Sequence, residues 1–180
     1  MTDSRLGAAN ACFSPPIQSS MAGSKILDIS PAGTAFIQKW EAFSSSLYDD
    51  VAGHCTVGYG HLVHRGNCDN SPSESDFTNG ITKAQGTFLM ASKLSEFVAT
   101  VRSNVAVELT QYEFDALVSF AYNVGSRGFR DSTLLRLVNS GQWSSIRGEM
   151  LQWVNAGHKR IQGLVNRRNA EANLFLQGFY

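Results

Sequence analysis

Residues 41–61 read EAFSSSLYDDVAGHCTVGYGH. This is where the pattern of the chain changes. Upstream, Ala35, Phe36, Ile37 and Trp40 recur at helical spacing and Phe43 continues the stripe, until Ser44-Ser45-Ser46 ends it. Downstream, Gly53, Gly58 and Gly60 punctuate Tyr48, Val51, Thr56, Val57 and Tyr59, the composition of short strands joined by tight turns. The changeover therefore predicts a helix followed by a small hairpin region. Ser30-Pro31 marks the entrance to that helix, a capping hydroxyl followed by proline at the first helical position.

Beyond the hairpin, residues 64–80 (HRGNCDNSPSESDFTNG) form a polar loop that is long for a compact domain. Helical periodicity returns at a capping box, Thr82-Lys-Ala-Gln85, and runs through Leu89, Met90, Leu94, Phe97, Val98, Val101 and Val105. A second box, Thr110-Gln-Tyr-Glu113, opens a helix over Phe114, Leu117, Val118, Ala121 and Tyr122 that Gly125 stops. Shorter helices follow around Leu134–Val138 and Ile146–Val154, and a last one over Leu164–Leu176. The predicted class is α+β, mainly α. Residues 1–30, rich in Ser, Ala and Gly with Pro15-Pro16, read as an N-terminal extension or linker. Residues 31–180 read as one domain, with a β-lobe at about 46–64 and a helical lobe at about 82–178.

The 180 residues, 43% hydrophobic, suffice for one domain with a real core. Fifteen basic and fifteen acidic residues cancel, which removes the electrostatic footprint expected of a nucleic-acid binder. No apolar run is long enough to span a membrane, and the first residues lack the basic start and apolar core of a secretory signal. The expectation is a monomer made in the cytoplasm without a signal peptide. Three cysteines, Cys12, Cys55 and Cys68, are too few for a disulfide scaffold. Free thiols are the default, and pairing of Cys55 with Cys68 stays open if the segment between them folds back. No Cys/His grouping has zinc spacing, and no metal or cofactor is expected.

Within the opening stretch, Glu41 follows an apolar stripe, Asp50 lies in a polar turn nine residues on, and Thr56 carries a hydroxyl six further. An apolar setting keeps a carboxyl protonated and a polar turn keeps one ionised. Two carboxylates held apart in this way are the equipment for acid–base cleavage of a glycosidic bond. Taken singly, each residue has a blander reading. A glutamate at a helix end is usually a solvated charge, Asp49-Asp50 before a glycine is usually turn chemistry, and His61 is more often structural than catalytic.

The combination changes that balance. Glu41-x8-Asp50-x5-Thr56, followed by Val57-Gly58-Tyr59-Gly60-His61, resembles the catalytic motif of phage-type lysozymes, glycoside hydrolase family 24. The segments 114–125 (FDALVSFAYNVG), Phe129 with Ser132-Thr133-Leu134-Leu135, Trp153, and 163–171 (GLVNRRNAE) are similar to later segments of that family, so the likeness covers about residues 32–177. It implies a two-lobed lysozyme-like fold with the active-site cleft between the lobes. It also implies a muramidase that cuts the β-1,4 bond between N-acetylmuramic acid and N-acetylglucosamine of peptidoglycan. Glu41 would be the general acid, with Asp50 and Thr56 positioning and activating water. By the same analogy Leu62, Tyr122, Asn123, Phe129 and Ser132 would line the saccharide cleft, and Arg167 or Arg168 would pair with Glu41 or a neighbouring acid.

Two other readings stand beside it: a lytic transglycosylase on the same bond, which does not need Asp50, and a non-catalytic wall-binding module. The resemblance leaves delivery open, between a phage endolysin and an antibacterial effector injected by a secretion machine, the latter with an immunity or inhibitor protein as partner. Either would act in the periplasm or at the cell wall of the host or target cell. The chain departs from the family in its extension before residue 30, in a longer 65–80 segment, and in Cys55 just before Thr56. A Cys55–Cys68 bridge would tie that longer segment to the hairpin.

Overall fold

The computed structural model describes residues 27–180; the extension and Cys12 fall mainly or wholly outside the described residues. Helix α1 (Pro31–Gln38) begins as expected: the Ser30 hydroxyl accepts the Gly33 N–H and proline stands at the first helical position. It buries Gly33, Phe36 and Ile37, while Ala35, expected on the apolar face, is exposed. The helix stops at Gln38, so Phe43 leaves the stripe and instead packs on Tyr59, ring centroids 5.0 Å apart.

Strands β1 (Ser44–Asp49), β2 (Cys55–Gly58) and β3 (His61–His64) form an antiparallel sheet in sequence order, with β2 central and wholly buried. Its register decides what each face carries. Tyr48 pairs with Thr56, and Thr56 with Leu62; Asp49 pairs with Cys55, and Cys55 with His64. Paired residues share a face and successive residues alternate. One face thus presents the Tyr48–Thr56 row, and the other the Asp49–Cys55 row.

The second row anchors the 65–80 insertion. Cys55 and Cys68 form a disulfide, which replaces the free-thiol default. Asp49 accepts the Cys68 N–H at 2.7 Å and the Asn67 amide at 2.9 Å. His64 Nε2 meets Glu74 Oε1 at 2.8 Å, and Glu74, 2% exposed, also accepts the N–H groups of Asp69 and Asn70. These bonds fold the polar segment back onto the sheet and give it structure with almost no apolar core.

Helix α2 (Lys83–Asn104) starts at the expected capping box on Thr82 and Gln85. It packs against β2 and β3 and also against α3 (Gln111–Asp131), so it joins the sheet to the helical lobe. Helix α3 opens at the Thr110–Glu113 box and buries every residue from Phe114 to Ala121. Gly125, at φ 82° and ψ 155°, breaks it as expected, but a second helical piece resumes and continues to Asp131. Helices α4 (Thr133–Asn139), α5 (Ile146–Met150) and α6 (Gln162–Gln177) complete the lobe, with a short hairpin of β4 (Asn155–Ala156) and β5 (Lys159–Arg160) before α6. That hairpin, too short for a hydrophobic period, was not expected from the sequence.

Buried Asp115 on α3 gathers donors from distant parts of the chain. It accepts the Ser30 N–H at 3.1 Å and the Ser30 hydroxyl, the Gln111 amide at 3.0 Å and the Tyr180 hydroxyl at 2.7 Å. A Cβ added to Gly33 would lie 2.5 Å from the Asp115 carboxyl carbon, so the close approach of α1 to α3 requires glycine there.

Candidate active site

Asp50 is held by its own turn. Its Oδ1 accepts the Ala52 N–H at 2.8 Å and the His54 N–H at 2.9 Å, and its own N–H bonds to the His54 carbonyl. These N–H groups favour the charged carboxylate and hold Asp50 below the ordinary aspartate value, the His54 N–H most strongly. Thr56, 3% exposed, donates its hydroxyl to the His54 carbonyl at 3.0 Å. Thr56 and Asp50 are thus both bonded to the His54 backbone, and the hydroxyl expected to hold a water is used on the turn. The adjacent Asp49 faces the insertion, which leaves Asp50 as the acid of the turn that the insertion does not engage.

Glu41 stands three residues beyond the end of α1, and its side chain is one quarter exposed (25%). The sequence left two arginines as its partner, and the structure selects Arg167: Nη1 donates to Glu41 Oε1 at 2.8 Å. Arg167, its side chain 4% exposed, also donates through Nε to Glu171 Oε1 at 3.0 Å and through Nη2 to the Ser119 carbonyl at 3.4 Å. Ser119 adds its hydroxyl to Glu171 Oε1 at 2.7 Å.

Arg168 belongs to the same network from behind. Its Nη1 lies 2.7 Å from Glu171 Oε2, a close ion contact off hydrogen-bond alignment, and its Nη2 donates to Asn123 Oδ1. Its guanidinium sits 4.9 Å from the centroid of the Phe120 ring. Burial pulls the proton affinity of Arg168 down, and Glu171 works against that pull.

Two tyrosines feel the charge of Glu41, and one of them also that of Asp50. Tyr48 titrates above its ordinary value, first through burial and then through the charges of Asp50 and Glu41, so both carboxylates are within electrostatic reach of one phenol. Tyr122 is pushed up to about 12, first by burial and then by Glu41, with Arg167 opposing. Lys93 on α2 lies 5.4 Å from the centroid of the Tyr122 ring and donates to the Gly60 carbonyl at 3.4 Å, a polar link between helical lobe and sheet. His61 titrates below its ordinary value through burial and the nearby Lys93, and its ring packs on Phe77.

The expected saccharide-lining residues divide. Leu62 is exposed on the sheet (48%), Tyr122 lies beside the Glu41–Arg167 pair, and exposed Asn123 receives Arg168. Phe129 and Ser132 correct the expectation. Phe129 is fully buried in the core, and the Ser132 hydroxyl bonds the Phe129 carbonyl and caps α4 through the Leu135 N–H, so neither side chain presents itself to a ligand. Sequence reading missed Tyr48 and the Ser119–Glu171 support. Glu171 was findable, since it falls four residues after Arg167 and three after Arg168, the helical ion-pair spacings.

His64, Asp69 and Glu74 could together face a metal ion, but they lie at the end of β3 and in the insertion, and both Glu74 oxygens already serve as the insertion's backbone staple. A hollow of about 450 Å³ between the insertion and α2, lined among others by Phe77, Ile81 and Phe88, shares no residue with the carboxylate pair. No described helix is long and apolar enough to cross a membrane.

A mainly helical domain with a small antiparallel sheet is the architecture of lysozyme-like proteins. Residues 38–171 match the phage lysozyme family model. The chain is 39% identical over 154 residues to an endolysin of Bacillus phage PZA, covering 84% of this chain and 56% of that relative. It is 31% identical to an endolysin of Acyrthosiphon pisum secondary endosymbiont phage 1, covering 83% of this chain and 98% of the relative. Among solved structures, the muramidase domain of SpmX from Asticaccaulis excentricus superposes with a TM-score of 0.73 at 30% identity, over 84% of this chain and 99% of that one. The chain belongs to the phage lysozyme family. It spans little more than half the length of the Bacillus phage relative.

Proposed function

We propose that this chain is a peptidoglycan hydrolase of the muramidase type, cutting the β-1,4 bond between N-acetylmuramic acid and N-acetylglucosamine. Glu41 gives its proton to the glycosidic oxygen as the bond to the anomeric carbon breaks. Water attacks that carbon from the opposite side, and Asp50 takes the proton the water loses. Thr56 fixes the peptide that holds Asp50, and Arg167 receives the negative charge left on Glu41. Leu62, Tyr122 and Asn123 remain candidates for contact with the sugar.

The observation that carries this reading is the contrast between an Asp50 kept ionised by its turn and a part-buried Glu41 on Arg167, both sensed by Tyr48. A backbone-organised Asp50 favours hydrolysis over transglycosylation, which needs no water-activating acid. The endolysin relatives support a phage-lysis role over that of a delivered effector with an immunity partner. The test is clearing of a peptidoglycan suspension with analysis of the released ends. Wild type is expected to clear it and leave reducing muramic acid, and Glu41→Gln to leave it turbid. Clearing by Glu41→Gln at the wild-type rate overturns the mechanism, and 1,6-anhydro ends from wild type would establish the transglycosylase.

A further inference from the structure

Four charged side chains form a line from the surface into the core: Glu41, Arg167, Glu171 and Arg168. Glu41 is 25% exposed, Arg167 is 4% exposed, and the last two are 0% exposed. Arg167 is therefore shared, with Nη1 on Glu41 and Nε on Glu171, and the two acids compete for one guanidinium. Glu171 cannot drift out of that competition. Ser119 donates to the same Oε1 that Arg167 uses, and Arg168, itself fixed by Asn123 and the Phe120 ring, sits on Oε2.

Rigid sharing has a chemical consequence. An arginine that faced Glu41 alone would favour its carboxylate, the wrong protonation state for a proton donor. A fixed anion on the far side of that arginine offsets part of its charge and adds like-charge repulsion of its own, and both effects favour the protonated acid. We propose that Glu171 is a positioning residue for the reaction: it restrains the charge of Arg167 and so sets the proton affinity of Glu41 from inside the core. The proposal rests on the reading of Glu41 as proton donor. The other groups in the electrostatic surroundings of Glu41 are Tyr48 and Asp50 on the sheet side and Tyr122 on α3, with Lys93 of α2 behind the Tyr122 ring. None of them touches Glu171 in the hydrogen-bond and ion-pair network described above.

The experiment is a carbon-detected NMR titration of the side-chain carboxyls in the full chain, with the Glu41 resonance assigned by its loss in Glu41→Gln. In Glu171→Gln, which keeps the shape and removes the charge, the Glu41 midpoint is expected to fall by about one pH unit. The alkaline limb of the clearing rate should move down by the same amount. Glu171→Asp, which restores the charge, should return both toward wild type, a rescue that a purely structural role would not give. If Glu171→Gln does not fold, the double variant Arg168→Met/Glu171→Gln removes both fully buried charges together and is expected to show a smaller fall in the same direction, because the farther Arg168 cation is lost with the nearer anion. An unmoved Glu41 midpoint in either folded variant overturns the proposal even if wild type clears walls. A moved midpoint in a protein that never clears walls would uphold the coupling and sink the hydrolase reading instead.

Discussion

The turn around Asp50 and the ion pair at Glu41 condition two carboxylates over very different lengths of chain. Asp50 takes its partners from Ala52, Gly53 and His54, all backbone groups within four residues. Glu41 takes its partner from Arg167, 126 residues away, and that partner is held by Ser119 and Glu171 on two helices, with Arg168 behind Glu171. The first environment assembles wherever the turn forms. The second exists only when α1, α3 and α6 are all docked, so the surroundings of Glu41 are the more vulnerable to remote change.

That contrast can be broken at several points. The largest effect is expected from Asp50→Asn, whose amide oxygen can still accept both turn N–H groups. Clearing activity should fall by roughly 10²- to 10⁴-fold while the melting temperature barely moves, measured by turbidity and calorimetry on one preparation. Arg167→Met should behave the other way, because it strips a partner from the buried Glu171 and from Glu41. Chemical denaturation should show a loss of about 3–5 kcal/mol. In whatever protein folds, the Glu41 midpoint should rise, opposite to the effect of Glu171→Gln.

Next in size is the disulfide, which closes a loop of sequence separation 13. Cys55→Ala/Cys68→Ala should lower stability by about 3 kcal/mol, read as a shift in denaturation midpoint at unchanged slope. The smallest effect concerns the insertion's polar staple. Glu74 raises the folded value of His64, so that contribution is complete below pH 6.5 and fades as pH rises through the raised value. His64 lowers the value of Glu74, so that contribution is complete above pH 4.5 and fades as pH falls through the lowered one. The melting-temperature gap between wild type and His64→Gln should therefore be widest between those two pH values and narrow on both sides.

Legibility in the sequence followed the same division by range. The Ser30-Pro31 entrance, both capping boxes and the break at Gly125 are local devices, and each stands where its residues placed it. Asp50 in its turn was readable for the same reason. The choice of Arg167 over Arg168 was not, because adjacent residues on α6 differ only in the direction each side chain takes once the helix is packed. Phe129 and Ser132 failed as cleft residues because family likeness conveys where a segment lies in the fold and says nothing of which of its atoms reach solvent. Tyr48 escaped notice because its nearness to both Asp50 and Glu41 exists only once the sheet and the end of α1 are in place.

Asp115 leaves one more consequence. By holding Ser30 and Tyr180 on a single carboxylate, it fastens the start of the first helix and Tyr180 to the second turn of α3. Neither end can fray by itself without loosening the other, so their amides should exchange with solvent together.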